Sequence, residues 1–172
     1  MRAAQFRACL FFAVISFLSS VSAADVVTEW NQKAEAAALE AKVYPFAGTR
    51  VMAIVHTAMF DAINSIEGRY SPYKFKVSAP AGSSPEAAGV AAAHAALVQL
   101  FPEQKAALDA ACAASLAQIP DGPGKTRGIA VGEEVAAKVV AWRAFSKIRG
   151  RSKTPQPTTR TKKAKISCWN WP

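Results

Sequence analysis

Residues 49–73, TRVMAIVHTAMFDAINSIEGRYSPY, form the densest run of apolar residues at helical spacing in the chain, and this run restricts the fold more than any other feature. Placed at about 100° per residue, Val51, Met52, Val55, Ala58, Met59, Ala62, Ile63 and Ile66 share one broad arc. Arg50, Thr57, Asp61 and Asn64 gather opposite, with Ile54, His56 and Phe60 on the flanks. An arc widened in this way suits a helix covered on more than one side, the central helix of a bundle. Thr49 is the expected N-cap and Gly68 the expected stop. Met52, Val55, Met59 and Ile63 are expected to be shielded, and Asp61 less so.

Four further helices follow from the same periodicity. Residues 25–42 are rich in alanine and space Val26 or Val27, Trp30, Ala34, Ala37 and Ala41 along one stripe, with Asp25 as cap and Tyr44-Pro45 as the stop. Residues 70–84 lose all periodicity and read as a surface connection pinned by Tyr70, Tyr73 and Phe75. Ser84-Pro85-Glu86 then starts a helix that runs to about Leu100: a capping hydroxyl, a proline where no amide is needed, and an acid near the positive end of the dipole. Its many alanines and Gly89 leave little side chain between axes, so neighbours can approach closely. Pro102 opens a helix to Ile119 carrying Leu108, Cys112, Ser115 or Leu116, and Ile119 on one stripe. Asp121 and Pro123 open another, which uses Ile129, Gly132, Val135 or Ala136, Val139 and Trp142. With no β-period run of any length, the fold class expected is all-α, a bundle of about five helices.

Few side chains in this pattern point to chemistry. His56 and His94, the two histidines, read as structural residues hydrogen-bonded at the edge of the core, since no ligand stands at metal spacing from either. A site shared by His56 and His94 depends on their placement in space. Trp30 lies on an apolar stripe and reads as core. Gly124-Lys125-Thr126 suggests a phosphate loop, but Ile119 stands where the motif needs glycine, and a helix leads in where it needs a strand. The segment therefore reads as a turn. Cys112 reads as a small buried hydrophobe whose one intrachain partner, after loss of Cys9, would be Cys168.

The two ends differ from the middle. Residues 1–23 have Arg2 and Arg7 in a basic start, an apolar core from Ala8 to Leu18, and Val21-Ser22-Ala23 as a cleavage site. This is expected to be a signal peptide, the apolar run falling short of the roughly 20 residues that a membrane span needs. Export to the periplasm or the extracellular space follows, with no transmembrane segment after cleavage. The domain expected is then residues 24–144, followed by a disordered basic tail over 145–172. From Ala24 to Trp142 there are ten Lys or Arg against twelve Asp or Glu, whereas Arg143 to Pro172 holds nine Lys or Arg and no acid. The formal net charge of +9 is thus a property of the tail, which has no apolar period and three prolines. Such a tail, with Trp169 and Trp171, suits nucleic acid or an anionic membrane surface, and export weighs against a specific nucleic-acid role.

RVMAIVHTAMFDAINSIEGRYSPY, then SSPEAAGVAAAHAALVQLFP, then LDAACAASLAQIPDGPGKTRGIAVGEEVAAKV, resembles the amino-terminal helical half of secreted bacterial vanadium-dependent haloperoxidase-like proteins of the PAP2 acid phosphatase superfamily. The likeness spans about Val26 to Trp142. It implies a helical scaffold, whereas the family's vanadate or phosphate site comes from a Lys-x6-Arg-Pro, a Ser-Gly-His and an Arg-x5-His-x3-Asp segment in its carboxy-terminal half. None of the three occurs here. No catalytic, cofactor-binding or metal-binding residue is therefore assigned. Vanadate or phosphate is expected only for a complete family protein, and Arg50, Arg69 and Lys74 look too scattered to hold such an anion. The resemblance stops where the basic tail starts, which fits a frame shift near Phe145, a genuine basic tail, or a short paralogue without the catalytic half. Two classes stay open: a non-catalytic helical part of that enzyme family, self-associating through an uncovered apolar face, or an exported small helical binding protein with a basic tail.

Overall fold

The computed structural model describes residues 25–149, with side chains as far as Ala144. The expected signal peptide and the tail beyond Arg149 lie outside the described residues, as does Cys168. Within them the chain is all-α, with five α-helices and no strand: α1 (Val26–Glu40), α2 (Pro45–Glu67), α3 (Pro85–Leu100), α4 (Lys105–Ala117, preceded by a 3-10 turn, Pro102–Gln104) and α5 (Pro123–Arg149).

Local chemistry accounts for most of the boundaries. Asp25 Oδ1 accepts from Val27 N at 3.2 Å and starts α1. Ser84 Oγ accepts from Ala87 N at 3.1 Å and starts α3 ahead of Pro85. Gly68 closes α2 at φ 64°, its N–H donating to Asn64 O at 2.8 Å. Two boundaries differ from the sequence reading. Pro45 does not only stop the first helix but opens the second at its first position, so α2 begins a full turn before Thr49. Thr49 is then internal, with its hydroxyl donating to Phe46 O. At the other end α5 passes through the change of composition at Arg143 and runs to Arg149, because an α-helix tolerates Lys and Arg well.

The most intimate packing joins α3 to α5. On α3, Ala87, Ala88, Gly89, Val90, Ala91, Ala92, Ala93, Ala96 and Leu97 are all buried. Gly124, Gly128 and Gly132 recur every fourth residue on the facing side of α5. A Cβ at Gly124 would lie 2.6 Å from Gly82 O, and one at Gly128 or Gly132 would collide with Ser84 O or Ala88 O. The two backbones therefore meet directly, which side chains larger than hydrogen would prevent. Around this seam close Trp30, Val55, Met59, Val135 and Val139, each at most 1% exposed.

The polar face of α2 is the chief surprise. Asp61 is fully buried, and Thr57, Asn64 and Ser65 are buried with it. The segment 70–77 crosses this face as an extended strap whose amides α2 side chains satisfy. Asp61 Oδ1 accepts from Tyr73 N at 2.7 Å, and Oδ2 accepts from Lys74 N at 2.9 Å and Phe75 N at 2.8 Å. Asn64 donates to Tyr70 O and accepts from Tyr70 N, while Ser65 Oγ accepts from Val77 N. The expectation of a more exposed Asp61 is therefore corrected: a chain segment without secondary structure has donors to satisfy, and a carboxylate can serve three at once. Of the aromatics expected to pin this segment, Phe75 does pack inward, but Tyr70 and Tyr73 remain mostly exposed.

Candidate interaction face

α2 is covered on its core arc by α3 and α5 and on its polar arc by the strap. What remains is the arc between them, carrying Met52, His56, Phe60 and Ile63, and there α1 lies alongside without filling the space. Two apolar clefts result. One of about 340 Å³ lies between Leu39, Val43, Met52 and Gly48. The other, about 350 Å³, lies between Val27, Met59, Phe60, Ile63 and Tyr70. Met52 and Ile63, expected to be as shielded as Val55 and Met59, are only half-buried because they line these clefts. Leu39 is 77% exposed and Tyr44 83% exposed beside the first.

His56 sits between the two clefts. Its Nε2 donates to Asn31 Oδ1 at 2.9 Å, tying α2 to α1. This is the structural role read from the sequence, although the partner is an amide from the neighbouring helix that spacing alone could not name. His94 does the same between α3 and α4: its Nε2 donates to Asp109 Oδ1 at 2.8 Å, and Lys105 donates to the other oxygen. Those two bonds, that from Lys105 foremost, hold the Asp109 carboxyl below its ordinary range. Each histidine is engaged with its own neighbour, and no contact joins the two. Among the described residues no group of three or more His, Cys, Asp or Glu could hold a metal ion.

The remaining candidates fall into place. Trp30 is wholly buried, with its ring edge-on to His94 at 6.4 Å. Cys112 is half-buried on α4, and burial, aided by Asp109 and Glu133, pushes its thiol up. Lys125, in the segment that suggests a phosphate loop, donates instead to Asp121 Oδ1 at 2.8 Å and to Ile119 O at 3.2 Å. It closes the turn before α5.

Arg69 pairs locally with Glu67 at 3.3 Å. Arg50 and Lys74, by contrast, each reach adjacent residues of α5. Arg50 donates to the carbonyl of Arg143 at 2.8 Å, while Arg143 and Lys74 stand 4.2 and 5.2 Å from the ring centre of Trp142. Residues 93 positions apart cannot be paired by spacing.

No family model matches the chain, and neither a curated protein nor a solved structure matches it.

Proposed function

We propose that this chain is a non-catalytic helical scaffold, related to the helical half of vanadium-dependent haloperoxidase-like proteins of the PAP2 superfamily, that acts by packing its α1–α2 face against a partner. The observation that carries this reading is the pair of apolar clefts beside Leu39, Met52, Phe60 and Ile63. Contiguous apolar surface of this kind marks an interaction site in an exported protein as in any other. The partner in this reading is a second copy of the chain. An exposed Leu39 and Tyr44 stand beside a cleft on the same patch, so two copies related by a two-fold axis place the projection of each against the hollow of the other. Vanadate or phosphate belongs to the complete family protein, whose binding segments this sequence does not contain.

The test is twofold. Purified chain is expected to oxidise no bromide with vanadate and peroxide and to hydrolyse no phosphomonoester. Vanadate-dependent turnover that persists through purification overturns the non-catalytic reading. Leu39→Glu is expected to shift the sedimentation of the chain toward monomer. Unchanged sedimentation with this variant removes the α1–α2 face as the site of association.

A further inference from the structure

The cleft beside Leu39 and Tyr44 lies where α1 ends, and the other cleft lies where α1 begins. Val27, Met59, Phe60 and Ile63 give this second one apolar walls around about 350 Å³. A further hollow of about 340 Å³ adjoins it, and the two share Val27, Ile63 and Glu67. Each is of the size that small molecules occupy, roughly 300 to 1,000 Å³.

No Lys or Arg lines either hollow, whereas three acids do. Glu67 stands where the two meet, and Asp25 and Glu86 line the second. Asp25 and Glu86 sit at the starts of α1 and α3, whose positive poles offset part of their charge. Glu67 has no such relief: it ends α2, where the pole is negative, and the last turn of that helix holds no basic residue. Its one ion pair among the described residues is with Arg69, whose side chain is 69% exposed, so water screens much of that pairing.

Phe60 and Tyr70 complete the first hollow, with ring centres 6.3 Å apart and planes tilted by 33°. Both rings are exposed, and the faces of aromatic rings attract cations. Tyr70 is held in place by its backbone, which donates to and accepts from the Asn64 side chain. His56 lines this hollow too, but its Nε2 is committed to Asn31 Oδ1.

The geometry points to a binding site for a small organic cation with an apolar body. The body lies against Val27, Met59 and Ile63, and its ammonium group sits at Glu67 beside the Phe60 and Tyr70 rings. An anion would meet carboxylates and no cation of the lining, and an uncharged apolar molecule would leave the charge of Glu67 unanswered. Among the described residues no three acids gather closely enough to hold a metal ion, which favours a larger, organic cation.

The experiment is calorimetric titration of the full chain with naphthylmethylammonium, and with naphthylmethanol and naphthylacetate as its uncharged and anionic counterparts. The ammonium ion is expected to bind about 5-fold more tightly than the alcohol, and the carboxylate most weakly of the three. Added salt is expected to weaken binding of the ammonium ion and to leave that of the alcohol unchanged. Glu67→Gln is expected to bring the ammonium ion down to the affinity of the alcohol, whose own binding stays as it was. Phe60→Ala is expected to weaken both about 5-fold. Circular dichroism checks that each variant keeps its helix content. Leu39→Glu, at the far cleft, is expected to bind as wild type does, so failure of the dimer contact and failure of this site are read separately. Alcohol binding as tight as that of the ammonium ion, carboxylate binding as tight, no binding of any of the three, or wild-type affinity in folded Glu67→Gln and Phe60→Ala overturns the proposal.

Discussion

Asp61→Asn isolates the contact that holds the strap to α2. The wild-type carboxylate accepts three backbone hydrogen bonds of 2.7 to 2.9 Å from a fully buried position. Asparagine keeps the shape but offers one oxygen. Its better orientation places that oxygen toward Lys74 N and Phe75 N, retaining two bonds in neutral form, and turns the amide group against Tyr73 N–H. A hydrogen bond to a charged group contributes about 1.5–3 kcal/mol, and a neutral one about 1. Losing one charged bond and weakening two others therefore costs about 3 kcal/mol. Asp61→Ala, which abandons all three donors, costs about 4 kcal/mol, because Tyr73 and Lys74 are exposed enough for water to reach their amides. Urea denaturation followed by circular dichroism gives the stabilities, and hydrogen exchange at Tyr73, Lys74 and Phe75 locates the change. An Asp61→Asn protein within about 0.5 kcal/mol of wild type, with those three amides still protected, would refute the reasoning.

At the α3–α5 seam, Gly128→Ala gains about 1 kcal/mol of helix propensity but drives a methyl group into Ser84 O, a backbone atom that cannot turn aside, so a net loss of about 2 kcal/mol is expected in thermal or urea denaturation. Gly48→Ala is the control: it sits inside α2 with open space around its Cβ and is expected to stabilise by up to about 1 kcal/mol. The Asp109 carboxyl is depressed from 3.8 by Lys105 and His94, so its contribution is present above the unfolded value and lost as pH falls through the lower folded one. The difference in urea midpoint between wild type and Asp109→Asn is expected to be steady above about pH 5 and to close below it, and a gap that widens in acid would contradict the assignment.

The helices were legible where local chemistry decides them. Asp25, Ser84-Pro85 and Gly68 announce caps through their own side chains or backbone, and the alanines of α3 announce close approach. Where a residue has two uses, the sequence was ambiguous: Pro45 can end one helix or begin the next, and only the packing of α2 selects the second. Asp61 was misread because periodicity reports the polarity of a face and not what covers it. A strap with unpaired amides makes a polar face an interior one. Gly124 looked like a turn and phosphate-loop residue, while its spacing of four from Gly128, continued at Gly132, was the available signal for a backbone seam. The reach of Arg50 and Lys74 to adjacent residues of α5 leaves no local mark, because it depends on how α2, the strap and α5 pack.

The central claim is that the α1–α2 face is made to be covered by a second copy. Multi-angle light scattering of the purified chain, read together with binding of a hydrophobic dye, tests it most directly. The account predicts a concentration-dependent dimer that binds little dye when associated, and a Leu39→Glu variant that is monomeric and keeps the helix content of wild type. A wild-type chain that stays a monodisperse monomer at all concentrations, binds no dye and unfolds cooperatively would contradict it.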